Sequence, residues 1–164
     1  MLQKNPQSRH DRGERGAALV EFALILPLVM SLVLGIVTGG AAYNRKLSMT
    51  NAVREGARFG ATLNGTSSWA TDVQSRTVAM AAGDLTTDQV CVKLVKVGTG
   101  DLLSATGSGC NSITPFTTHP GSTGDCVVEV WAARPDKIQA MFFTSSITLT
   151  SKAGSRYEAT ATSC

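Results

Sequence analysis

The chain has 164 residues and a formal net charge of +3, from 15 Lys and Arg against 12 Asp and Glu. That length suffices for one domain, or a small domain with a membrane segment, and excludes two full cores. Two of the three excess charges fall in the first sixteen residues, from Lys4, Arg9, Arg12 and Arg15 against Asp11 and Glu14. The remainder is nearly neutral and offers no nucleic-acid surface.

Residues 1–16 read as a short charged leader. From Phe22 to Tyr43 the sequence FALILPLVMSLVLGIVTGGAAY carries no charge. As a helix it spans about 33 Å, enough to cross a hydrocarbon core of about 30 Å, and a chain this small cannot wrap such a helix on every side. Pro27 removes one helical hydrogen bond, to the carbonyl of Ala23, and is the expected point of a kink, which membrane helices tolerate. The leader cations are matched by Arg45, Lys46, Arg54 and Arg58 on the other flank, so the positive-inside rule gives a tie. Cys91, Cys110, Cys126 and Cys164 break it. All four follow the apolar run and none forms a C-x-x-C pair, so the even count implies disulfides in an oxidising compartment. This places the N-terminus in the cytoplasm and everything after Tyr43 outside.

Helical periodicity continues past the apolar run. Met49, Ala52, Val53, Gly56, Gly60 and Leu63 recur at three- and four-residue steps, with Arg54, Glu55 and Arg58 off the stripe. One long helix from about Ala17 to about Leu63 is expected, apolar first and amphipathic later. NGTSS, residues 64–68, ends it. Ser67 or Ser68 then caps a second helix from about Trp69 to Ala82, with Asp72 in its first turn, Gly83 as its stop, and Trp69, Val73, Thr77 and Met80 as its inner face.

Strand chemistry follows in three stretches: VCVKLVKV (Val90 to Val97), CVVEVWA (Cys126 to Ala132) and SITLTSKA (Ser146 to Ala153). The last alternates, with Ile147, Leu149 and Ala153 on one face, so a sheet with one face on a helix is expected. The fold class is therefore α+β: a long N-terminal helix, a second short helix and an antiparallel sheet of about three strands. The connection between the first two strands, residues 98–125, is too long to be structureless unless something pins it. A Cys110–Cys126 bridge would close it locally and leave Cys91 for Cys164, one of three pairings that four cysteines allow.

Catalysis is poorly supplied. The histidines are His10, in the leader, and His119, in a His-Pro-Gly turn, so a base for a nucleophile would have to be His119 alone. The widely spaced cysteines lack the neighbours a metal site needs, and GTGDLL lacks the third glycine of a dinucleotide loop. No enzyme, cofactor or metal is expected.

The strongest local signal is RGERGAALVEF, Arg12 to Phe22. A secretory signal peptide has a shorter apolar core and a small-residue cleavage site after it, whereas here a glycine stands before the apolar run. The leader, Gly16 and AALVEF resemble type IV prepilins, in which a prepilin peptidase cuts after the glycine and residue five of the mature chain is glutamate. Counted from Ala17, residue five is Glu21. RGAALVEFALILPLVMSLVLGI followed by NAVREGARFGA resembles, more narrowly, the TadE family of pseudopilins from tight-adherence (Flp) pilus systems.

The resemblance implies cleavage between Gly16 and Ala17, a subunit-contact role for Glu21, Phe22 and Pro27, and a family motif at Arg54, Glu55, Gly56, Ala57 and Arg58. It implies as partners the membrane, a prepilin peptidase, and other pilin or pseudopilin subunits with their assembly machinery. The implied layout is a cleaved cytoplasmic leader (1–16), a long helix (17–63) crossing the cell membrane at 22–43, and an extracytoplasmic disulfide-containing domain (64–164). The alternative from another class is an uncleaved single-pass anchor presenting residues 98–125 to an extracellular ligand.

Overall fold

The computed structural model describes residues 10–99, 102–107, 110, 122–140 and 143–158. Helix α1 (His10–Thr62) runs 53 residues without interruption, through Pro27, a length of about 80 Å. Its large apolar side chains from Leu19 to Val37 are exposed. Among the described residues it is the one helix long and apolar enough to cross a membrane by length and composition. Its second half carries the expected stripe: Met49, Ala52 and Val53 are fully buried, and Ala57 and Ala61 continue the same face.

The fold is α+β. Helix α2 (Trp69–Met80) packs across α1, and four strands follow: β1 (Val90–Lys96), β2 (Leu102–Thr106), β3 (Cys126–Gln139) and β4 (Thr144–Arg156). They form an antiparallel sheet in the order β2-β1-β3-β4. Val90, Val92, Leu94, Val128, Val130 and Ala132 face the helices and share one core with Met49, Val53, Trp69 and Val73. The other face of the sheet is closed as well. Cys91, Glu129 and Trp131 are buried there, and the Lys93 ammonium stands 4.8 Å from the centre of a Trp131 ring, a favourable cation–π distance.

Helix α2 starts at Trp69 as the sequence implies, but Ser68 does not cap a backbone N–H. Its hydroxyl donates instead to the Asp72 carboxylate at 2.8 Å. The helix stops where Ala82 and Gly83 take left-handed conformations, φ +50° and +89°, the second of which glycine adopts freely. Met80 departs from expectation. It is 42% exposed, and Gln74 takes a buried place instead, its amide nitrogen donating to the carbonyls of Thr87 and Val90 at 2.8 and 2.9 Å. An amide on the inner face is stable because both its protons are used in hydrogen bonds to backbone carbonyls.

The disulfide pairing differs from the one expected. Cys91 is joined to Cys110, with Cα atoms 5.0 Å apart, which excludes both Cys110–Cys126 and Cys91–Cys164. The cause is β2, which folds the long connection back along β1 so that Thr106 opposes Val92. Gly107, at φ +108°, then presses so close that a side chain there would strike the Val90 carbonyl and the Cys91 Cα. Three residues later Cys110 lies beside Cys91. Closing this 19-residue separation contributes about 3 kcal/mol in the chain-entropy account. Cys126 is also disulfide-bonded; Cys164 and His119 lie outside the described residues.

Candidate functional site

The leader junction, the apolar half of α1 and the Arg-Glu-Gly-Ala-Arg segment all lie on one helix, so the candidate site is α1 and what holds it. Gly16, Ala17, Glu21 and Phe22 are exposed, and Pro27 is half-buried. Ala17 and Glu21 are one turn apart, about 6 Å along the axis, and share a face. Nothing stands within 4 Å of where a side chain would project from Gly16, Gly35, Gly39 or Gly40. Of these, Gly35 and Gly39, one turn apart on a shared face, suit close helix approach.

The segment 54–58 does a different job at each position. Gly56 faces Thr77 of α2 so closely that a Cβ there would collide with the threonine side chain. Thr77 cannot yield easily, being fully buried with its hydroxyl bonded to the Val73 carbonyl at 2.8 Å. One turn on, a Cβ at Gly60 would meet Val73 and Val128 at 2.9 and 3.0 Å. Ala57 is buried between these glycines. Glu55 faces Arg76 at 3.5 Å, both about 40% exposed, a surface pair worth under about 1 kcal/mol. Arg54 and Arg58 are exposed. The centre of the motif is therefore a helix-crossing device, and its two arginines remain on the surface.

The far end of α1 is closed by the chain's return near residue 157. The Tyr157 hydroxyl donates to the Leu63 carbonyl at 3.0 Å, and the Glu158 N–H donates to the Ala61 carbonyl at 2.8 Å. Carbonyls at a helix C-terminus have no partner inside the helix, so these bonds fix where α1 ends.

Toward its apolar N-terminal half, α1 is clasped by the β3–β4 hairpin. The Ser151 hydroxyl donates to the Thr50 hydroxyl at 3.0 Å. The Arg45 guanidinium meets both Asp136 carboxylate oxygens at 2.9 and 3.0 Å. The Thr38 hydroxyl reaches the Gln139 carbonyl at 2.9 Å and its own helix's Leu34 carbonyl at 2.8 Å. On β3, Arg134 donates to the Asp84 carbonyl and carboxylate at 2.6 and 2.9 Å, tying the hairpin to the α2–β1 connection.

Asp136 is held below the usual 3.8, first by the Lys137 N–H that donates to it and then by Arg45, with the Arg134 charge adding and burial opposing. A depressed carboxylate contributes its full stability above the unfolded value and loses it as pH falls toward the folded one. Asp136→Asn is therefore expected to destabilise the folded domain at neutral pH, with the difference from the parent closing below about pH 4. Denaturation of the full chain in detergent across pH, followed by tryptophan emission, checks this. A difference unchanged at low pH would deny the carboxylate its role.

Among the described residues no group of three or more His, Cys, Asp or Glu side chains is placed to hold a metal ion.

The model of the TadE-like protein family matches residues 16–58, about a quarter of the chain. The match begins at Gly16 and ends on the arginine that closes the Arg-Glu-Gly-Ala-Arg segment. No curated protein and no solved structure matches.

Proposed function

We propose that this chain is a pilus-related, membrane-anchored pseudopilin of the tight-adherence type, made with a cytoplasmic leader and cut after Gly16 by a prepilin peptidase. The observation that carries this reading is the family match over residues 16–58, which coincides with an exposed apolar helix of membrane-crossing length. Gly16 and Ala17 are substrate positions for another protein's peptidase. The chain itself is read as non-enzymatic, its work being to contact other subunits through α1 and to present the disulfide-closed domain outside the cell membrane.

Cleavage supplies a new amine at Ala17, one turn from the Glu21 carboxylate. Each charge alone is costly in the bilayer, and an amine of one subunit offsets a carboxylate of the next only when the two helices meet in register. Glu21 thereby specifies how subunits align. Removing the chain from its native cell is expected to abolish surface pili of the tight-adherence type, counted by electron microscopy, and restoring the full chain is expected to bring them back. Pili at the normal number without it would contradict the assembly role.

A further inference from the structure

We propose that the closed end of the β3–β4 hairpin, carrying Phe143, is seated in the outer interface of the same bilayer that α1 crosses. The inference rests on the membrane-anchored reading of α1 and adds a second point of contact with the lipid.

Among the described residues strand β3 pairs beyond Ala132 with β4 alone, and the two strands run on beside α1. The contacts from Ser151 with Thr50, through Asp136 with Arg45, to Gln139 with Thr38 are rungs on this path. Between the last two rungs α1 advances seven residues and β3 three, each about 10 Å, so hairpin and helix keep pace. The hairpin closes where the Ala140 N–H donates to the Phe143 carbonyl at 2.8 Å. Its end therefore stands level with Thr38, inside the uncharged run of α1 that lasts until Arg45.

Length agrees with that level. With the span at 22–43, Thr38 stands five residues, about 8 Å, inside its outer end, so the hairpin end reaches the outer part of the bilayer.

The composition fits a lipid-facing end. Residues 138–151 read IQAMFFTSSITLTS without a charge, bounded by Lys137 on one strand and Lys152 on the other. Phe143, where the hairpin closes, is 63% exposed. Tyr43 of α1 is similarly exposed, and aromatic side chains collect at membrane interfaces. A neighbouring copy is the other candidate occupant. The bilayer is favoured because the hairpin's height is set within one chain, by its bond to the membrane helix.

The test uses the full chain with Phe143→Trp, reconstituted in phosphatidylcholine vesicles containing lipid brominated on its acyl chains, with Met30→Trp, exposed in the middle of the span, as a control. The signal of the parent chain, from Trp69 and Trp131, is subtracted. Bromolipid is expected to quench about half of the emission from the indole introduced at position 143, and aqueous iodide little of it. Quenching at position 30 but strong iodide quenching at 143 would overturn the hairpin contact and leave the membrane anchor standing. Quenching at 30 with position 143 shielded from both quenchers would overturn it in favour of a neighbouring copy. No bromolipid quenching at either position would remove the anchor and the hairpin contact together.

Discussion

Glu21→Ala is expected to abolish crosslinking between α1 helices of neighbouring subunits, and with it assembly, while leaving the melting of the folded domain unchanged. The second half follows from distance. The first rung joining α1 to the sheet is Thr38, seventeen residues from Glu21 and about 25 Å along the helix, and Glu21 is exposed. The first half follows from the cost of an unpaired charge. Removing one partner of a buried ion pair costs about 3–5 kcal/mol, a loss of roughly a hundredfold or more in association. Cysteine pairs placed along the exposed face of α1, oxidised in native membranes, read out the contact. Crosslinking and pili at parental levels in Glu21→Ala would show that the carboxylate rests among headgroups without setting register.

Trp69→Ala is expected to give the largest loss of stability in the folded domain. Trp69 is 2% exposed, its indole N–H donates to the Gly60 carbonyl at 3.0 Å, and its ring meets Tyr157 edge-on with centroids 6.3 Å apart. Where α1 needs glycine at position 60 for close approach, the tryptophan fills the remaining space and ties to that glycine's backbone. Truncation leaves a cavity at the junction of α1, α2 and the sheet, at a cost of about 3–5 kcal/mol, lowering the melting temperature by more than about 10 °C. Trp69→Phe keeps most of the ring contact and loses the hydrogen bond, a smaller cost of about 1 kcal/mol. Calorimetry of both variants in detergent separates the terms. Equal, small losses would mean that the domain is held elsewhere.

The long helix was legible because its signals are local. An uncharged run of membrane length joins a stripe of small residues at helical steps, and the structure keeps Met49, Ala52, Val53, Gly56 and Gly60 on the buried face. The start of α2, the whole of β1, the first half of β3 and the middle of β4 were legible for the same reason. Strand β2 was not, because LLSAT inside a Gly-, Ser- and Thr-rich connection has no alternation, and its pairing with β1 is a tertiary fact. Without it the return of Cys110 to Cys91 was invisible, so the shorter loop to Cys126 looked preferable.

The second half of β3 was hidden by Arg134, Pro135 and Asp136, which read as the end of a strand. Proline is tolerated there because β3 has lost β1 as a neighbour, so no described strand needs its N–H on that side. The clasp on α1 was hidden too, since no sequence pattern links Arg45 to Asp136 or Thr38 to Gln139. Of the candidate site, the residue identities were legible; the reason for Gly56 was not, because it depends on a buried Thr77 across a helix crossing.

The most direct test of the central claim is the intact mass and N-terminal sequence of the chain recovered from its native membrane, in cells with and without their prepilin peptidase. The account predicts a chain beginning at Ala17 only when the peptidase is present, and an uncut chain when it is absent. A chain that begins at Met1 in both would contradict it.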